Sequence, residues 1–292
     1  MLTRTFIHLP GVGSAFERKL NQRGIFTWDD ALAGVLPCGL ARAGALRALL
    51  LESRARLTAG DAAWFGARLP PAGQWRLFPH FRHSAAYVDI ETNGLGEDAH
   101  ITTIALYNGE CVRTYVRGRN LEDFSDDILA YKLLVTWNGR CFDAPLLRRE
   151  LNIPLDKADP DNAGRHPTMA HLDLLPVYRA LGLRGGLKAV EKRLGLCRGG
   201  LDGLDGWDAV RLWRAYEYSG EARWLETLLA YNVADVLGLE RLAEYACLTY
   251  SGGVPGVPGE HDACRVASGL PPVKSELNPH APDPEVLRIL GR

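Results

Sequence analysis

The sequence predicts an α/β fold, a sheet flanked by helices with a small helical region in front. Three observations lead there. Three β-type runs, at 85–91, 100–107 and 111–117, are joined by the turn signals Asn93-Gly94 and Asn108-Gly109, which is the rhythm of a meander. Helical and extended stretches then alternate, with a helix near 121–130 and a strand at 133–137. Last comes a long helix on which Leu225, Leu228, Leu229, Val236, Leu239, Leu242 and Ala243 form one apolar stripe. Ahead of the sheet, residues 1–75 are helical in pattern, with Ala- and Leu-rich segments at 40–51 and 55–65 that Pro70-Pro71-Ala72-Gly73 interrupts. The sheet region itself spans 84–250. Pro- and Asp-bearing residues 155–167 are expected to form a surface loop, and the glycine-rich stretch 199–206 a flexible connection. That stretch lacks the closing Glu of a calcium loop. From 251 to 292 Gly, Pro and His dominate, as in a flexible C-terminal tail with a short last helix at 284–290.

Composition narrows the class. With 292 residues, 47% of them hydrophobic and 24% charged, the chain can bury one sizeable core and a small second region. A net charge of −1 neither calls for nucleic acid nor forbids a local basic face. Arg113, Arg117, Arg119, Arg148, Arg149, Arg184, Lys188, Lys192 and Arg193 could contribute to such a face, although scattered charge of this kind is mostly solvated surface. Six cysteines without a CxxC pair or zinc spacing fit a reduced, cytoplasmic setting. The apolar run at the start is too short for a signal peptide, and no span of about 18 apolar residues suggests a membrane helix.

The chemistry is concentrated in a few carboxylates. Asp89 and Glu91 lie two apart in the first strand, so both project from one face while Val88 and Ile90 pack on the other. Two like charges on a mostly buried strand repel each other and resist desolvation unless a proton or a cation sits between them. A solvated strand end beside Asn93-Gly94 is the plain alternative. Downstream, the run ending in Asn138-Gly139 leads to Asp143, just before Ala144-Pro145, which suit the first turn of a helix. Taken alone, Asp143 is a helix N-cap. On the long helix Asn232 falls inside the apolar stripe, and Asp235 sits at its edge with Tyr231 one turn earlier on the same side. An Asp there is accounted for either by a metal ion or by pairing with a nearby Arg. His171-Leu172-Asp173 reads as a short strand or helix start whose polar pair either lines the cleft or caps the helix that follows, the structural role being favoured.

In this order, Asp89-x-Glu91, Asn138 to Asp143, and Tyr231-x-x-x-Asp235, the sequence resembles the DEDD exonucleases of the ribonuclease H-like superfamily. Tyr231 four residues before the last Asp is similar to the DEDDy branch, and Ala230 lacks the His of the other branch. With His171 to Leu175, Leu187-Lys188-Ala189-Val190-Glu191 and Tyr231 to Leu237, the wording of residues 84–248 looks most like the bacterial YprB-type predicted exonucleases. The resemblance implies a ribonuclease H-like mixed five-stranded sheet flanked by helices, and a 3′-5′ exonuclease acting on single-stranded or 3′-ended DNA or RNA. It further implies two Mg²⁺ or Mn²⁺ ions: Asp89, Glu91 and Asp235 would hold one, and Asp89 with Asp143, directly or through water, the second. Tyr231 would orient the attacking water, and Asn138 would help shape the cleft.

Two other readings stay open, a structure-selective endonuclease on the same fold and a nucleic-acid-binding module that has lost catalysis. In the front region, within residues 7–33, Leu9-Pro10-Gly11-Val12-Gly13 followed by a helix, Gly24-Ile25 and a second helix is similar to a helix-hairpin-helix element. There, backbone N–H groups at Gly11 and Gly13 would meet a phosphate. A small helical cap with a glycine-rich turn accounts for the same residues.

Overall fold

The structure, a computed structural model, describes residues 2–153, 169–196, 198–251 and 271–292. The helical front consists of α1 (Ser14–Asn21), α2 (Trp28–Ala33), α3 (Leu40–Thr58), α4 (Ala62–Gly66) and α5 (Phe78–Phe81), with short 3-10 turns between them. Its boundaries have local causes. Thr27 forms a capping box with Asp30 at the start of α2, and Asp61 accepts from the Trp64 amide to open α4. Trp28, Trp64, Trp75 and Phe65 from this region share one buried core with Tyr87, Tyr107, Val135 and Leu172 of the sheet.

Five strands follow: β1 (Ala85–Thr92), β2 (Ile101–Tyr107), β3 (Val112–Val116), β4 (Leu133–Thr136) and β5 (Ala170–Asp173). They lie in the order β3-β2-β1-β4-β5. The first three form the predicted antiparallel meander, whereas β4 runs parallel to β1 and β5 parallel to β4. This is the predicted mixed sheet. Helices cover both faces: α6 (Phe124–Asp127), α7 (Asp143–Leu151), α8 (Leu174–Ala180), α9 (Leu187–Arg193), α10 (Gly206–Ser219) and α11 (Ala222–Ser251). Alternation along β1 sorts its side chains, because Ala86, Val88 and Ile90 pack with Phe124, Ala144 and Leu147, whereas Ala85 and Tyr87 face the core that contains α8 and α11. Asp89 and Glu91 share the parity of Ala85 and Tyr87. They therefore look toward α11.

Gly139 illustrates how closely the β4–α7 connection is built. Asn138 before it adopts φ 61°, and a Cβ on Gly139 would stand 2.2 Å from Thr136 Oγ1. That hydroxyl shares a 2.8 Å hydrogen bond with His171 Nε2 inside the sheet. Gly139→Ala is therefore expected to destabilise the protein by about 1–3 kcal/mol, the usual cost of overpacking. Urea denaturation checks it, and an unchanged midpoint would contradict the crowding.

Two expectations change. Residues 271–292 do not behave as a free tail: Lys274 Nζ donates to Tyr107 Oη at 2.9 Å and Gly109 O at 2.7 Å, and Asn278 donates to Ala230 O at 2.9 Å. The predicted last helix, α12 (Pro284–Leu290), buries Val286 and Leu290 against Leu212, Trp213 and Leu225. Docking of this kind depends on two apolar residues and a few polar contacts, too few to raise an apolar period in a Gly- and Pro-rich segment. The glycine-rich connection 199–206 also holds local order, a 3-10 turn at Gly199–Leu201 followed by Asp205, which forms a capping box with Asp208 on α10. The expected surface loop 155–167 and residues 252–270 of the expected tail lie outside the described residues. Among the described residues, no helix is long and apolar enough to cross a membrane.

Candidate active site

At the carboxyl ends of β1 and β4 the sheet opens into a cavity of about 1010 Å³ whose wall includes Asp89, Glu91, Asn138, Asp143, Tyr231 and Asp235. The four carboxylates, Asn138 and Tyr231 thus line one cavity. Each arrives on a different kind of support. β1 presents Asp89 and Glu91; the turn after β4 and the first residue of α7 bring Asn138 and Asp143; one turn of α11 carries Tyr231 and Asp235. Gly11 and Gly13 lie elsewhere, in the exposed turn at the start of α1.

Asp89, Glu91 and Asp235 each offer an oxygen within 4.8 Å of the others. Asp143 completes the group electrostatically, since the Asp89 charge acts on it and it acts on Glu91. Burial pushes Asp89 up to about 6, although the Asn232 hydrogen bond and the Arg198 and Lys188 charges oppose the rise. Burial, then the Asp89 charge, holds Glu91 well above its ordinary range, and the same two causes act on Asp143. These carboxyls are crowded, desolvated and rich in hard oxygen donors, the arrangement that a divalent cation of the Mg²⁺ or Mn²⁺ class relieves. The residues fit such an ion.

Three side chains around the carboxylates escaped the sequence reading as site residues. Asn232 is fully buried; its Nδ2 donates to Asp89 Oδ2 at 2.7 Å and to the Asp89 carbonyl at 3.2 Å, while its Oδ1 accepts from Thr103 Oγ1 at 3.1 Å. Its place inside the apolar stripe was the available signal, because a buried amide needs fixed partners. Lys188, one of the scattered cations, donates to Tyr231 Oη at 2.5 Å and to the Leu204 carbonyl, and sits 4.1 Å from the Tyr231 ring centre. Burial, then the Arg198 charge, lowers its ammonium to about 8. Arg198 pairs with both Asp235 and Glu191, so the partner arginine that alone would explain Asp235 is present beside the acidic cluster.

Tyr231 stays a phenol at any physiological pH, since burial and then the Glu91 charge raise it further. It can donate or accept a hydrogen bond but cannot serve as a neutral-pH base. Asn138 lines the cavity while its amide N donates to Asp173 Oδ1 at 2.8 Å. Asp173 also accepts from the Arg140 and Leu175 amides, which makes it the structural cap expected of it. Of the other cations in the scattered set, Arg184 lines the cavity, whereas Arg113 pairs with Asp127, Arg117 with Glu150, and Arg119 donates to Tyr216 Oη.

Residues 86–247 match a family model of the RNase H superfamily. The chain belongs to the RNase H superfamily. The match covers more than half of the chain and coincides with the sheet and its helices, from β1 into the last part of α11. Among solved structures, the chain is similar to a family B DNA polymerase from the hyperthermophilic archaeon Pyrobaculum calidifontis, with 18% identity and a TM-score of 0.41. That alignment covers 64% of this chain and 27% of the polymerase, so the chain spans little more than a quarter of its length. No curated protein sequence matches. An RNase H superfamily member with a ribonuclease H-like sheet and a carboxylate cluster at its open end is what the sequence and the fold together describe.

Proposed function

We propose that this RNase H superfamily chain is a metal-dependent 3′-5′ exonuclease of the DEDDy, YprB-like type, acting on single-stranded or 3′-ended nucleic acid. The observation that carries the reading is the convergence of Asp89, Glu91, Asp143 and Asp235 with Tyr231 on one cavity. Asp89, Glu91 and Asp235 would hold one Mg²⁺ or Mn²⁺ ion, and Asp89 with Asp143 a second. Held there, such ions would supply water activation and charge stabilisation for an in-line phosphodiester displacement.

The protein's own groups supply the rest. Asn232 holds the Asp89 carboxylate in place from the α11 side. Tyr231 lines the cavity with its hydroxyl held by Lys188, and would orient the attacking water. Lys188 and Arg184, on the same wall, add positive charge where a phosphodiester would lie. Asn138 shapes the rim.

Digestion of matched 3′- and 5′-labelled single strands of DNA and RNA with Mg²⁺ or Mn²⁺ tests the proposal. Release of mononucleotides from the 3′ end, with a circular strand left intact, is the expected result. Cutting of the circle would replace the exonuclease by a structure-selective endonuclease; no cleavage by folded protein would leave a binding module.

The helical front suggests a second contact with the substrate. Gly11 adopts φ +71° in an exposed turn, and Gly13 caps α1 with open space around it. Arg42 closes the turn by donating to the Gly11 carbonyl at 2.9 Å. In the helix-hairpin-helix reading, Gly13→Val blocks the approach of a phosphate to the α1 amides without crowding the fold, and weakens DNA binding several-fold, about 1 kcal/mol. Fluorescence anisotropy with a labelled duplex measures it, and equal affinity would remove these glycines from the interface.

A further inference from the structure

Behind the carboxylate cluster lies an ion-pair chain from Asp235 through Arg198 to Glu191, and no catalytic role accounts for the last two. The Arg198 guanidinium, only 6% exposed, lies between the Glu191 carboxylate of α9 and the Asp235 carboxylate of α11, which are themselves 3% and 7% exposed. It donates through Nε to Glu191 Oε2 at 2.6 Å and through Nη1 to Asp235 Oδ1. The backbone on both sides is tied as well: the Leu196 amide donates to the Glu191 carbonyl at 3.0 Å, and the Arg198 amide to Asp202 Oδ1 at 3.0 Å. Glu191 reaches its place through a gap in α11. A Cβ on Gly238, one turn after Asp235, would stand 2.1 Å from Glu191 Oε1.

A buried charge pair is costly to assemble, and simple stability does not require one here, since apolar residues of similar size would pack as well. What a planar guanidinium fork adds is geometry. Its several N–H groups point in fixed directions, so a carboxylate on one edge can be held at a set angle to a carboxylate on the other. Asp235 also belongs to the set of three carboxylates whose oxygens lie within 4.8 Å of one another. We propose that Arg198, clamped by Glu191 in the space left by Gly238, is a positioning residue that sets the Asp235 carboxylate in the metal-binding cluster. The proposal rests on the reading of that cluster as a metal site. Arg198 touches no substrate in it; it acts through Asp235.

The test is the equilibrium constant for Mn²⁺, measured from the free-ion electron paramagnetic resonance signal, for full-length wild type, Arg198→Lys and Glu191→Gln, each with its metal-free thermal midpoint. Arg198→Lys keeps the charge but replaces the fork by a point charge, and Glu191→Gln loosens the far end of the clamp. Both are expected to bind Mn²⁺ about tenfold more weakly while folded, the usual loss when a group behind a metal ligand is removed. If Arg198→Lys fails to fold, Glu191→Gln carries the test. A purely structural role would lower the midpoints and leave the Mn²⁺ constant as in wild type, and unchanged or tighter binding overturns the proposal. Wild type that binds no Mn²⁺ overturns both the proposal and the metal site under it. Wild type that binds Mn²⁺ yet cleaves nothing removes only the nuclease reading.

Discussion

Asp235→Asn is expected to lower metal-dependent cleavage of a 3′-labelled single strand by at least about 10²-fold, the scale set by losing one preorganised charged group from a reaction centre. Asp235 offers an oxygen to the same cluster as Asp89 and Glu91, and Asn keeps the shape while surrendering the charge that attracts a divalent ion. The substitution also leaves Arg198 facing a neutral amide, so circular dichroism and the thermal midpoint must accompany the assay. Folded protein that cleaves as fast as wild type would show that the cluster is not the reaction centre, and the proposed exonuclease would fall with it.

Asp89→Asn is expected to have a second, opposite effect, a gain in the stability of the metal-free protein. The Asp89 carboxyl titrates at about 6 in the fold against its ordinary 3.8, because burial disfavours the charged form. A raised pKa means that the folded state holds its proton longer than the unfolded chain does. The favourable contribution of the protonated group is therefore fully present below about pH 4 and is lost as the pH rises through 6. At pH 8 the metal-free wild type carries an ionised Asp89 beside Glu91, at a cost of about 1–3 kcal/mol from a shift of about two units. Asn removes that charge and can still accept from Asn232. Without metal, the variant should melt a few degrees above wild type at pH 8, and the gap should close toward pH 4. Added Mn²⁺ should raise the wild-type midpoint at pH 8 and leave the variant nearly unmoved. A variant that melts lower than wild type at every pH would mean that Asp89 is stabilised by its neighbours even without an ion.

Much of this was written in short-range pattern. Alternation along 85–91 placed Asp89 and Glu91 on one face, and the structure puts Val88 and Ile90 on the other, in a separate part of the core. The turns Asn93-Gly94 and Asn108-Gly109 lie between the strands of the meander, and the final helix spans Pro284–Leu290, the bounds expected of it. Strand ends moved by a residue or so, as at β2 and β3, because pairing partners rather than propensity decide the last ladder bonds.

The chain by itself determined the alternation of strands and helices, the parity of the first strand, and the helical face that carries Tyr231, Asn232 and Asp235, since each follows from a period of 2 or 3.6 residues. Only the tertiary structure decided what stands beside the carboxylates. Arg198 meets Asp235, Lys188 meets Tyr231 and Glu191 lies beside Gly238, partners 37, 43 and 47 positions apart in the chain. No local period encodes such a meeting: it depends on how closely α9 can approach α11, and that distance is set by packing and by the absent side chain of Gly238. For the same reason residues 271–292 read as a tail until their few anchors found α11 and the β2–β3 turn, contacts that exist only once the core beneath them has formed.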